Sequence, residues 1–189
     1  MKTIDDIVKE IISVHPEGKE FFDNLDQAVQ HPDIFGQIIE LFIKVSHGKF
    51  PSIIVSGKFG SFFINCVHRY MLLSLGGVYY VNGGLREGTP IDSLDYIEYA
   101  IKDREFIFID DSFYSGKTRD AIQAEIERLG GELVKTIVVY DGSISKDSTV
   151  ESLYRYHKGS SRGLTKEESE KYEKSLLKLF KPTGRKLNI

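Results

Sequence analysis

The chain has 189 residues, 41% of them hydrophobic, and a net charge of -3 with both signs spread along it. That suits one compact domain with a substantial core and leaves no basic footprint for nucleic acid. A lone cysteine, Cys66, excludes an intrachain disulfide and points to a reducing compartment, and the histidines at 15, 31, 47, 68 and 157 offer no short-spaced pair for a metal.

In chain order, "MKTIDDIVKE" turns acidic before any apolar stretch develops, so no leader is expected. Ile4, Ile7, Val8, Ile11 and Ile12 recur at helical spacing behind Thr3, and Phe35, Ile38, Ile39, Phe42 and Ile43 do so after Pro32. With a shorter helix in "GKEFFDNLDQAVQ" between them, residues 1–49 read as a helical region. At Pro51 the pattern changes: "PSIIVSG" is a brief β-branched run closed by glycine, which suits a strand buried on both faces. A helix from about Ser61 to Leu75 follows, with Cys66 as a buried, inert thiol among Phe62, Phe63, Ile64 and Val67. Then "VYYVNGG" reads as a second strand, "DSLDYIEYAIKD" as a helix capped by Asp92, and "EFIFIDD" as a third strand. "KTRDAIQAEIERLGG" is a helix with Ile122, Ile126 and Leu129 on one face, stopped by glycines, and "KTIVVYDG" a fourth strand.

Strands alternating with helices of these lengths predict an α/β fold: a mainly parallel central sheet, helices on both faces, and ligands at the carboxyl ends of the strands. Residues 50–145 form that core within a single domain spanning 1–189. Residues 146–189 add "SLYRYHKG" as a short edge strand and a helix opened by the capping box Thr165 to Glu168. The Tyr172, Leu176 and Leu179 stripe of that helix reads as a docking face, and the basic "KSLLKLFKPTGRK" as a solvated helix face and tail. No apolar run approaches the ~20 residues that span a bilayer. A cytoplasmic protein without membrane or nucleic-acid partners is expected.

The chemistry concentrates in "FIFIDDSFYSGKT", Phe106 to Thr118, which admits three readings. A nucleoside-triphosphate loop, with Lys117 on the phosphates, needs glycine where Asp111 stands, and an aspartate there aims negative charge at an anion. A plain strand-to-helix corner, with Ser115 or Thr118 as cap, gives no reason for two consecutive aspartates. The third reading uses every residue. Backbone amides of Tyr114, Ser115, Gly116, Lys117 and Thr118, at a helix start, receive a terminal phosphate. Asp110 and Asp111, a sugar's length away, accept hydrogen bonds from a cis-diol. Phosphate at one end and diol at the other describe ribose 5-phosphate.

This stretch resembles the phosphoribosyl pyrophosphate signature of the type I phosphoribosyltransferases: an apolar strand, two acidic residues, three variable positions, then Thr/Ser-Gly-x-Thr. The likeness extends more loosely over Pro51 to Gly142. It implies that "SGKFGS", with Ser56, Gly57, Lys58, Phe59 and Gly60, binds pyrophosphate, often through a cis peptide in that family. It implies Mg2+ held at Asp110 and Asp111, and a transfer from phosphoribosyl pyrophosphate to a base or amine with pyrophosphate as leaving group. Asp110, Asp111 and Arg86 are the candidate catalytic residues, Arg86 lying on a short lid in "NGGLREGTPIDSLDYIEYAIKDR". Family members acting on 6-oxopurines usually carry aspartate at the place of Tyr114, which argues against hypoxanthine or guanine here. The N-terminal helices and the C-terminal extension are the expected hood over the acceptor. Homodimers are common in the family, and Tyr79, Tyr80, Tyr96 and Tyr99 are candidates for an apolar surface, although core positions explain them more simply. The alternative on the same scaffold is a regulatory protein that binds phosphoribosyl pyrophosphate or a nucleotide without turning it over.

Overall fold

A computed structural model describes residues 3–13, 19–70, 77–82, 91–143 and 147–155. The chain opens with a capping box: the Asp6 amide donates to Thr3 Oγ1 at 3.2 Å while the Thr3 amide donates to the Asp6 carboxylate at 3.0 Å, starting α1 (Ile4–Ser13). After α2 (Lys19–Ala28), α3 (Pro32–Ser46) begins with proline in its first turn and His31 as cap, whose Nδ1 accepts from the Asp33 amide at 3.2 Å. Ile34, Phe35, Ile38 and Phe42 are its buried stripe, whereas Ile43, expected on the same stripe, faces solvent.

The described residues build a five-stranded sheet in the order β2-β1-β3-β4-β5, with every neighbouring pair parallel. The strands are β1 (Ser52–Ser56), β2 (Val78–Val81), β3 (Glu105–Phe113), β4 (Glu132–Asp141) and β5 (Val150–Arg155). Each residue of β1 is buried, as a central strand covered on both sides requires. Period-two alternation splits the core. Ile53, Val55, Ile107, Ile109, Ile137 and Val139 pack with α3 and α4 (Gly57–Tyr70) on one face. Ile54, Phe106 and Phe108 meet Ile122 and Ile126 of α6 (Lys117–Arg128) on the other. Full burial of side chains of this size stabilises by about 1.5–3 kcal/mol each, so the sheet's two faces hold the fold together.

Three expected boundaries move, each for a local reason. Helix α4 starts at Gly57, not near Ser61, because Gly57 turns the strand directly into the helix at φ 63. Gly60 then lets the helix lie on β1: a Cβ there would come within 3.1 Å of the Val55 carbonyl carbon. The helix expected to be capped by Asp92 shrinks to a 3-10 turn (Asp95–Ile97) and the single turn α5 (Glu98–Ile101). Its leading amides are taken elsewhere, that of Asp95 by Ser93 Oγ at 3.2 Å and that of Leu94 by Glu125 on α6 at 3.3 Å. Strand β3 runs on to Phe113, through both aspartates. Residues 142–149 link β4 to β5, fewer than the roughly dozen of a helical crossover.

Arg86, the tail of the helix expected to Leu75, and the C-terminal helix with Tyr172, Leu176 and Leu179 lie outside the described residues. Among the described residues, no helix is long and apolar enough to cross a membrane.

Candidate functional site

The strand order reverses at β1. From β1 the chain crosses to β2 on one side, and from β3 to β4 on the other, with α4 and α6 on opposite faces. Such a reversal opens a crevice at the carboxyl ends of the two strands that flank it, here β1 and β3. Register shows where it opens. Val55 pairs with Ile109, β1 ends at Ser56, and beyond that β3 continues against β4 alone, Asp110 opposite Val138 and Phe113 opposite Asp141. Three stretches singled out in the sequence therefore lie at the carboxyl ends of β1 and β3: Ser56 to Gly60, Asp110 with Asp111, and Tyr114 to Thr118.

Asp110 and Asp111 are both half-buried. Asp110 Oδ1 accepts from the Asp111 amide at 2.9 Å, and Asp111 Oδ1 accepts from Ser112 Oγ at 2.8 Å. Because they are successive strand residues, their side chains leave towards opposite faces of the sheet. A ligand that uses both must lie across the strand where β1 no longer covers it. At the level of the acids the neighbouring strand β1 has stopped, while their own strand continues.

After Phe113 the chain turns through Tyr114 and Ser115 to Gly116, which caps α6 at φ 76. No side chain caps that helix, which removes the plain corner reading with Ser115 or Thr118 as cap. Uncapped leading amides and the positive end of the helix dipole favour an anion. Ser115 and Lys117 are exposed and Thr118 is half-buried. Tyr114 turns its ring inward, 5.9 Å from that of Tyr140 and tilted by 52°, over Gly142, where a Cβ would collide with it. It offers the crevice its backbone.

On the β1 side, Ser56 is buried and Gly57 and Lys58 are exposed. The Phe59 side chain belongs to the core, with Phe62 and Phe63 at ring distances of 6.1 and 6.2 Å, so only its backbone can face a ligand. No cis peptide occurs among the described residues. Lys58 Nζ lies 3.5 Å from Asp26 Oδ2 on α2, which ties the N-terminal helical region to this corner. The Asp92 amide donates to the Asn82 carbonyl at 3.1 Å, just past the carboxyl end of β2.

Among the described residues no three His, Cys, Asp or Glu side chains gather into a metal-binding group. Magnesium is commonly held by one or two carboxylates with water and substrate oxygens completing its shell, and since Asp110 and Asp111 leave their strand on opposite faces, one of the two rather than the pair would contribute to such a shell. Tyr79 packs on Phe106 at 6.2 Å and Tyr80 is half-buried, whereas Tyr96 and Tyr99 are exposed, so the four tyrosines do not make one patch. Sequence reasoning missed Asp26, an ordinary charged residue in its own segment that only the tertiary fold brings beside Lys58.

No protein-family model matches the chain, and no curated protein does. Solved structures similar to it include a purine phosphoribosyltransferase from Pyrococcus horikoshii, 18% identical at a TM-score of 0.44, covering 63% of this chain and 80% of that one. An adenine phosphoribosyltransferase from Thermoanaerobacter pseudethanolicus is 19% identical at a TM-score of 0.46, covering 68% and 84%. A hypoxanthine phosphoribosyltransferase from Trypanosoma cruzi, in complex with the product IMP, is 10% identical at a TM-score of 0.47, covering 71% and 74%. Likeness at this level assigns neither substrate nor activity to this chain.

Proposed function

We propose that the protein is a phosphoribosyltransferase, transferring the 5-phosphoribosyl group of phosphoribosyl pyrophosphate to a base or amine and releasing pyrophosphate. The observation that carries this reading is the meeting, at the carboxyl ends of β1 and β3, of an acid pair, an uncapped helix start and a glycine turn with a lysine. On this reading the 5-phosphate meets the α6 amides, the ribose hydroxyls meet Asp110 and Asp111, and the pyrophosphate meets Gly57 and Lys58.

In the reaction the bond from the anomeric carbon to the pyrophosphate oxygen breaks, a bond to the acceptor nitrogen forms, and the proton of that nitrogen passes to water or to the departing pyrophosphate. Negative charge grows on the departing group while the sugar becomes cationic. Lys58 and the Gly57 turn meet the first change, and the carboxylates of Asp110 and Asp111 orient and stabilise the sugar through the second. Magnesium held by one of these carboxylates would supply further neutralisation of the pyrophosphate charge. The α6 amides anchor the phosphate, so that the reacting carbon is held in place.

The test is magnesium-dependent pyrophosphate release from phosphoribosyl pyrophosphate offered with a panel of bases and amines. Release with at least one acceptor, abolished in Asp110→Ala/Asp111→Ala, is expected. Tyr114 favours a second reading, a sensor of phosphoribosyl pyrophosphate or a nucleotide, because its inward ring leaves that position without an acid or base. Tight binding with no release across the panel would select the sensor.

A further inference from the structure

Arg119 follows the residues assigned to the phosphate, yet all its nitrogens are already engaged. Nε donates to Asp120 Oδ1 at 2.6 Å, Nη1 to Thr149 Oγ1 at 2.9 Å and Nη2 to Asp147 Oδ2 at 3.1 Å. The guanidinium carbon lies 5.5 Å from the centre of the Phe113 ring, and the side chain is 16% exposed. Its acceptors are themselves fixed. Asp147 Oδ1 takes the Thr149 amide at 2.8 Å and its hydroxyl at 2.6 Å, and the Thr149 carbonyl accepts from the Thr136 amide of β4 at 2.9 Å. Burial pushes the Asp147 carboxyl up, but the Thr149 donors and Arg119 outweigh it and hold it below its ordinary range, so it stays charged.

This assembly stands directly behind Gly116. A Cβ on Gly116 would meet the Phe113 ring at 3.3 Å and Arg119 Nη2 at 3.4 Å. Arg119 and Phe113 thus back the turn that presents the α6 amides.

Building on the phosphate site proposed at α6, we propose that Arg119 is its positioning residue: it clamps the Gly116 turn to the Asp147–Thr149 connector and touches no ligand itself. A planar, three-nitrogen fork that also stacks on a ring cannot be replaced by the single ammonium of lysine. Charge alone therefore does not sustain the site.

The experiment is calorimetric titration of the full chain with ribose 5-phosphate and, separately, with pyrophosphate, for the parent, Arg119→Ala, Arg119→Lys, Asp147→Asn, Thr149→Val and Arg119→Ala/Asp147→Asn. Urea unfolding accompanies each variant. Arg119→Ala and Arg119→Lys are both expected to weaken ribose 5-phosphate binding by roughly tenfold or more. Pyrophosphate binding is expected to stay within about twofold, because Gly57 and Lys58 share none of the partners of Arg119. Asp147→Asn should match the ribose 5-phosphate loss, the double variant should add nothing to it, and Thr149→Val should show a smaller loss if the others fold poorly. Retained affinity in Arg119→Lys with loss in Arg119→Ala would make Arg119 a direct anion ligand and overturn the proposal. Equal loss for both ligands, in step with stability, would reduce it to a structural residue. If the parent binds ribose 5-phosphate and no variant is affected, only the clamp fails. If the parent binds none, the phosphate site fails with it.

Discussion

Gly57 and Gly116 sit at φ 63 and 76, in the left-handed region that glycine enters freely. At either position an alanine costs roughly 1–2 kcal/mol of backbone strain. Space around them differs: nothing lies within 4 Å of a Cβ on Gly57, whereas Phe113 stands at 3.3 Å from one on Gly116. Gly116→Ala is therefore expected to lower the urea midpoint more than Gly57→Ala, and to weaken ribose 5-phosphate binding as well. Lys58 gives a second test. Asp26 competes with any anion for its ammonium, so Asp26→Asn should tighten pyrophosphate binding, and the gain should vanish in the Lys58→Ala background. Unchanged affinity in Asp26→Asn would show that the 3.5 Å contact has no energetic weight in the site. At this scale the acids and the glycine-bearing turns were legible because chemistry dictates their types. The inward ring of Tyr114 was not: its partners, Tyr140 and Gly142, are set by strand pairing.

Between elements, α4 lies close on β1 where Gly60 faces Val55. Gly60→Ala should cost about 1–3 kcal/mol, as overpacking of a close contact does, read from urea unfolding. Further along the same helix, Cys66 is 8% exposed and burial pushes its thiol up. A thiol reagent should therefore label it slowly in the native protein and rapidly in urea. Rapid native labelling would mean that α4 opens locally. The elements themselves were legible where periodicity was strong, as in α1, α3, β1 and α6. It failed at α5, where Ser93 and Glu125 claim amides that a longer helix would need, and at α4, where two glycines read as a loop although they begin a helix. Propensity gives no sign of either tertiary demand.

For the molecule as a whole, alternating strand and helix patterns announced a parallel sheet, but not that its order would reverse at β1, since strand order depends on which face each crossover covers. That reversal is what joins the pyrophosphate and ribose ends of the proposed site. Global stability carries its own signature. The Ser93 hydroxyl and Arg128 lower the Asp95 carboxyl, Arg128 lowers that of Glu125, and Asp147 is lowered despite its burial. Carboxyls depressed on folding stabilise above their unfolded pKa of about 4 and lose that contribution as pH falls through the folded value. The urea midpoint should hold from neutrality to about pH 5 and then fall, less steeply in Arg128→Ala. The central claim, that the ends of β1 and β3 hold one phosphoribosyl group, is tested most directly by calorimetric titration of phosphoribosyl pyrophosphate, with magnesium, into the parent and into Asp110→Ala/Asp111→Ala. Saturable one-to-one binding by the parent and its loss in the folded double variant are expected. A double variant that binds as the parent does, or a parent that does not bind, would contradict it.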